Sequence, residues 1–141
     1  MPTTSSAKLS LPVDVVMTRR IVQIIEQIPM AEVLNVAAKY DYNGFPVVTV
    51  EGRLVGMITK GDLLRVACEA VDDPAVWQAP VSRFMAHGIL ALRPTDTLGS
   101  AVQYLTEAKL RSLPVIDAES RVLGMVSRND LMGAIAPEGR P

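Results

Sequence analysis

The chain has 141 residues, 49% of them hydrophobic and 21% charged, with a formal net charge of −1. That apolar content can offset the entropy of ordering one compact unit or two small halves, which excludes a disordered chain. The near-neutral charge gives no basic field for nucleic acid or an anionic membrane surface, and no apolar run reaches the roughly 18–20 residues of a membrane-spanning helix.

Residues 1–11 are Thr/Ser-rich and lack a basic stretch followed by an apolar one, so they are expected to form a flexible tail and not a signal peptide. A β-branched run, Ile21–Ile25, predicts a strand, and Pro29 marks the start of a helix carrying Met30, Val33, Leu34 and Ala37 at helical spacing. The strands Phe45–Val50 and Leu54–Ile58 follow around a turn at Glu51-Gly52, then a helix from Thr59 with Leu63, Leu64, Val66 and Ala67. Val71–Ala79, containing Asp72-Asp73-Pro74, reads as a connector. The order then repeats: a strand at Ile89–Leu92, a helix-start signal at Thr95-Asp96-Thr97, and a helix with Leu98, Ala101, Val102 and Leu105. The strands Leu113–Asp117 and Val122–Val126 flank a turn at Ala118–Ser120, and a helix from Ser127 carries Leu131, Met132 and Ile135. Residues 137–141 are read as a C-terminal tail.

A shift of 68 residues superimposes the chain on itself without a gap. Pro12, Val13 and Met17 fall on Pro80, Val81 and Met85; Pro46-Val47 on Pro114-Val115; Gly56-Met57 on Gly124-Met125; Asp62-Leu63 on Asp130-Leu131. The expected organisation is therefore repeat 1 over 12–70, a connector over 71–79 and repeat 2 over 80–136. Each repeat has the order β-α-β-β-α, which predicts a mixed α/β (α+β) fold with the helices on one face of each sheet. A half of this size buries too little surface to be robust alone, so the halves should pack sheet to sheet about a pseudo-twofold axis.

Each repeat carries the pattern Gly-h-h-Thr/Ser-x-x-Asp, where h is hydrophobic. It stands as Gly56-Met57-Ile58-Thr59-Lys60-Gly61-Asp62 and as Gly124-Met125-Val126-Ser127-Arg128-Asn129-Asp130. Each follows a Pro-Val strand, and the openers Val16-Met17 and Phe84-Met85 stand upstream. The arrangement resembles the cystathionine-β-synthase (CBS) domain, and the tandem resembles a CBS pair, or Bateman module, over about residues 12–136.

The chemistry of the pattern can be stated from its residues. Thr59 and Ser127 occupy the N-cap position of a helix, whose open N–H groups and partial positive charge attract phosphate. Lys60 and Arg128 add a full charge beside them, and Asp62 and Asp130 one turn on can each accept two hydrogen bonds from a ribose diol. Gly56 and Gly124 would leave room for a base or sugar against the backbone. Thr-x-x-Asp and Ser-x-x-Asp are equally the pattern of a capping box, and the two readings are compatible.

The resemblance implies a regulatory module binding adenosine-containing ligands such as AMP, ADP or ATP in the cleft between the repeats, sensing energy state and signalling to an unidentified effector protein. It implies ribose contacts at Asp62 and Asp130, phosphate contacts at Thr59, Lys60, Ser127, Arg128 and Arg111, and adenine contacts at Val22, Asn43, Gly44, Met57, Leu90, Ser112 and Met125. Val22, Leu90 and the two methionines read equally well as core. The Asp130 site is expected to hold phosphate more tightly, because Arg111 stands where the Asp62 site has Asn43. His87 and Arg93 are expected near it, while Arg19-Arg20 would reach the Asp62 site.

Cys68 and His87 are single, too few for a Cys/His zinc centre, and neither has an evident activating partner. The expectations are therefore no enzyme activity, no metal and no cofactor. Cys68 is expected to be a small buried hydrophobe, and a lone cysteine suits a cytoplasmic location. Tyr40, Tyr42 and Tyr104 are expected at the edge of the core. Apolar residues on the last helix of each repeat, Leu64, Ala67, Met132 and Ile135, point to a homodimer joined through helical faces. The alternative is a ligand-free dimerisation or scaffold module with the same fold.

Overall fold

A computed structural model of the chain describes residues 7–137. It divides into two compact units, Val22–Ile89 and the residues up to Ile21 together with those from Leu90 onward. In the unit holding Asp62, β1 (Ile24–Ile25) leads to α1 (Met30–Lys39), then β2 (Gly44–Val48), β3 (Leu54–Thr59) and α2 (Lys60–Asp72). The sheet order is β1-β2-β3, with β1 parallel and β3 antiparallel to β2. In the unit holding Asp130, α3 (Leu98–Glu107) precedes the antiparallel pair β4 (Ser112–Ile116) and β5 (Val122–Ser127), and α4 (Arg128–Ile135) follows. The mixed α/β class and the helix starts at Pro29, Thr97, Thr59 and Ser127 agree with the sequence reading.

The first strand of each repeat is shorter than expected. β1 is confined to Ile24–Ile25, and its counterpart is a single parallel bridge from Leu92 to Val115. A proline in the neighbouring strand accounts for both. Leu92 donates to the Pro114 carbonyl (2.8 Å), and Ile116 donates to the Leu92 carbonyl (2.8 Å). The next donor back along that edge would be the N–H that Pro114 lacks, so the ladder stops short of Leu90. Pro46 holds the same register beside Ile24 and Val47 and ends the pairing before Val22.

Each unit is completed by the opener that precedes the other sequence repeat. Val13 and Met17 are buried with Leu92, Leu98, Leu113, Val115 and Val126. Val81 and Met85 are buried with Ile24, Met30, Phe45, Val47 and Ile58. Thr18 exchanges backbone hydrogen bonds with Met125 (2.8 and 2.9 Å), and Ala86 does the same with Met57 (2.8 and 3.1 Å). These crossings explain the two glycines of the motif. A Cβ on Gly124 would lie 2.7 Å from the Thr18 carbonyl oxygen, and one on Gly56 would lie 2.7 Å from that of Ala86. The space expected for a base or sugar is thus filled by the crossing chain.

Other segments also correct the sequence reading. Residues 9–11 are not a loose tail: Leu9 packs on the core, and its carbonyl and that of Leu11 accept from the N–H groups of Gly99 and Leu98. Residues 1–6 and 138–141, read as ends of tails, lie outside the described residues. α2 runs on to Asp72 into a 3-10 helix, Pro74–Gln78, whose Val76 is buried in the core of its unit. Cys68 is exposed, because it stands on the outer side of α2 while Leu63 and Val66 face inward. Tyr40 and Tyr42 stack on each other, with ring centroids 5.5 Å apart, and Tyr42 tilts over the buried Phe45 (6.0 Å), which puts the pair at the edge of the core as the sequence reading expected.

Gly56→Ala and Gly124→Ala should each lower stability by about 1–3 kcal/mol, since the added methyl meets a backbone carbonyl that cannot rotate away. Gly133→Ala, within α4 where a Cβ meets open space, should instead stabilise by roughly 0.5–1 kcal/mol. Urea denaturation of the three variants checks both signs.

Candidate functional site

Both motifs place their polar groups where a strand becomes a helix. Lys60 N–H donates to the Asn43 carbonyl (3.0 Å), extending the sheet ladder by one step into the first residue of α2. The Arg128 N–H does the same to Arg111 (3.1 Å). Gly44 then faces Thr59 across β2 and β3, and Ser112 faces Ser127 across β4 and β5. Asn43, Gly44, Thr59, Lys60 and Asp62 thus meet at one end of a sheet, as do Arg111, Ser112, Ser127, Arg128 and Asp130 in the other unit.

At each junction the capping box is complete. The Asp62 N–H donates to Thr59 Oγ1 (3.1 Å), and the Thr59 N–H donates to Asp62 Oδ2 (2.8 Å). The Asp130 N–H donates to Ser127 Oγ (3.1 Å), and the Ser127 N–H donates to Asp130 Oδ2 (2.9 Å). Each hydroxyl serves the box as an acceptor, so its own O–H is left to donate to a ligand oxygen. Each carboxylate spends one lone pair on the box and keeps capacity for a diol.

The outer side of each carboxylate carries a partner that the sequence reading missed. Thr18 Oγ1 donates to Asp130 Oδ1 (3.2 Å) and Oδ2 (3.3 Å). The Arg65 guanidinium pairs with Asp62 Oδ1. Arg65 was readable as an acid–base pair three residues apart on one helix. Thr18 was not, because it lies 112 residues from Asp130 and meets it only through the exchanged opener.

The basic residues are held differently from the expectation. Lys60 Nζ donates to the Tyr40 carbonyl (2.9 Å) and Arg128 Nε to the Leu110 carbonyl (2.9 Å), which leaves each cation further donors. Arg111 is exposed at the junction. Arg93 donates to the Asp117 carbonyl (2.9 Å), beyond the end of β4 opposite Ser112, and so is not at the Asp130 site. His87 is exposed and belongs to the unit of Asp62, and Arg19 donates to the Asp14 carbonyl (3.2 Å) within the unit of Asp130. Arg93 is thus removed from the premises for a tighter Asp130 site, and the Asp62 site gains a guanidinium, Arg65, that the sequence reading did not include.

The residues expected around adenine divide. Met57 is buried, and a Cβ on Gly44 would lie 3.4 Å from both the Met57 methyl and Thr59 Cγ2, so both side chains border Gly44. Met125 and Ser112 are half-buried at the equivalent end of β4 and β5. Val22 packs against the core of its unit, the alternative reading for it, and Leu90 is exposed. Among the described residues no cluster of three His, Cys, Asp or Glu side chains could hold a metal, and no helix is long and apolar enough to cross a membrane.

Comparison with known proteins gives a consistent result. The CBS domain family matches residues 13–69 and again 81–137. Inosine-5'-monophosphate dehydrogenase of Aquifex aeolicus is 32% identical over 102 residues, which are 72% of this chain and 20% of that protein. The 5'-AMP-activated protein kinase subunit gamma-3 of Bos taurus is 24% identical over 121 residues, 83% of this chain and 24% of that protein. The chain thus spans about a quarter or less of the length of these two relatives. Among solved structures, CBSX2 in complex with AMP superimposes with a TM-score of 0.79 at 26% identity, covering 88% of this chain and 95% of that one. CBSX2 from Arabidopsis thaliana gives a TM-score of 0.78 at 23% identity, over 89% and 94% of the two chains. With two matches that together take in most of its length, and with the fold and both motifs in place, the chain belongs to the CBS domain family as a tandem pair.

Proposed function

We propose that the chain is a regulatory module that binds adenosine-containing ligands at the two strand-to-helix junctions and passes their occupancy to a partner protein. One observation carries the reading. At each junction an acidic residue and an N-cap hydroxyl meet at the start of a helix whose first residue is basic, twice in one chain. A helix N-terminus with a free O–H and a cation suits a phosphate, and the carboxylate one turn on suits a ribose diol. The CBSX2 structure, similar over nearly its whole length, contains AMP. On this reading the adenosyl ligand is regulatory, not a cofactor, and the chain carries out no chemistry of its own.

A ligand-free scaffold is the second reading, favoured by the fact that both capping boxes close with protein groups alone. Thermal melts with AMP, ADP, ATP, NAD and S-adenosylmethionine separate the two. A ligand selective for the native state, at 100 times its Kd, adds roughly 2.7 kcal/mol and raises the melting temperature by several degrees. If none of the five moves the transition at millimolar concentration, the scaffold reading stands in its place.

We also propose that the chain forms a homodimer through its helices. Leu64 and Met132 are 70% and 57% exposed, so the cores of their own units do not use them. Ala67 is likewise exposed, and Ile135 is half-buried. Sedimentation equilibrium at high micromolar concentration should give twice 15.2 kDa, and a single 15.2 kDa species contradicts the dimer.

A further inference from the structure

The two carboxylates are matched in their capping boxes and unmatched on their outer sides. Asp62 is held there by a cation, Arg65, and Asp130 by a neutral hydroxyl, Thr18. The repeat places Gly133 where the first motif has Arg65, and Ala86 where the second unit uses Thr18. A Cβ on Gly133 would meet nothing within 4 Å among the described residues, so the helix has room there for a side chain that the sequence does not supply.

This difference bears on what each site must give up to accept a ribose. A diol that bonds to Asp62 competes with Arg65 for Oδ1, and release of the guanidinium frees that oxygen for the ribose. The Arg65 side chain is 72% exposed, whereas that of Asp62 is only 14% exposed. Released into water, the guanidinium would cost little to solvate, but its pairing would be lost. A ligand with its own anion restores that pairing. Gly61 has no side chain to block the first turn of α2. The point where its Cβ would stand is 3.6 Å from Thr59 Oγ1 and 3.9 Å from an Arg65 guanidinium nitrogen. Arg65 therefore already borders the helix end where a phosphate would bind, and its planar fork suits phosphate oxygens as well as it suits a carboxylate.

We propose that Arg65 is a specificity residue that makes the Asp62 site favour phosphorylated over unphosphorylated adenosyl ligands, by moving from Asp62 to the phosphate as the ribose takes its place. The assignment rests on the reading that these junctions bind adenosyl ligands. The Asp130 site lacks this exchange, since the Thr18 hydroxyl turns away from the carboxylate without leaving an unpaired charge.

AMP and adenosine share a base and a diol and differ by the phosphate, so their affinities isolate it. Titrations of the full chain followed by amide NMR read the sites separately, through Gly61 at one and Asn129 at the other. Arg65→Gln keeps a good helix former on an exposed face. It should weaken AMP at the Gly61 site by about tenfold, the low end for a charge-assisted hydrogen bond, and leave adenosine unchanged or tighter there. Gly133→Arg should add a preference for AMP over adenosine at the Asn129 site. If Arg65→Gln weakens both ligands equally, or leaves their ratio unmoved, the role of Arg65 is overturned while the nucleotide reading survives. If neither ligand shifts either amide in the parent chain, the nucleotide reading falls and the role of Arg65 falls with it.

Discussion

The bond from the Thr59 backbone N–H to the Asp62 carboxylate, and its twin from Ser127 to Asp130, governs how each repeat turns from sheet to helix. The N-cap residue ends its strand extended, with φ near −110° at Thr59 and −106° at Ser127. Its N–H is one of the groups a helix cannot satisfy internally. A carboxylate at the third helical position supplies the partner, and the N-cap hydroxyl returns the favour to the carboxylate's own N–H. The same bond commits one oxygen of the carboxylate and leaves the other to the partner on its outer side, Arg65 at Asp62 and Thr18 at Asp130. Fold and candidate chemistry therefore depend on one side chain, and removing it disturbs both.

A second constraint lies three residues before each N-cap. Gly56 and Gly124 allow the openers to run across β3 and β5 at backbone distance, each crossing fixed by a pair of hydrogen bonds. In the unit of Asp130 the crossing also delivers Thr18 to the carboxylate. The opener thus does more than close a core: it sets what the outer face of the acidic residue touches. Ala86 at the matching place has no hydroxyl to offer, and Arg65 takes the corresponding role at Asp62 from within its own helix.

Much of this was legible in the residues because it is local. The capping boxes, the Gly-h-h-Thr/Ser-x-x-Asp spacing and the helix starts at Pro29 and Thr97 are patterns a few residues long, and each lies where the reading put it. The shortened first strands were legible in principle from Pro46 and Pro114, which stand in the partner strand and lack the needed donor. The exchange of openers was not legible. Val13 and Met17 repeat as Val81 and Met85, so either core accepts either segment, and hydrophobic pattern cannot choose between them. The misplacement of Arg93 is also non-local: its guanidinium bonds beyond the far end of β4. Cys68 was misjudged because a helix with two buried residues, Leu63 and Val66, still presents apolar side chains outward.

The central claim is that one carboxylate caps a helix and holds a ribose at the same time. A crystal structure of the chain grown with AMP tests it most directly. The account predicts the ribose hydroxyls on the carboxylate of Asp62 or Asp130 and the phosphate against Thr59-Lys60 or Ser127-Arg128, with the N-cap N–H still bonded to the other carboxylate oxygen. AMP bound away from both junctions, or AMP at a junction with its ribose turned from the carboxylate, would contradict it.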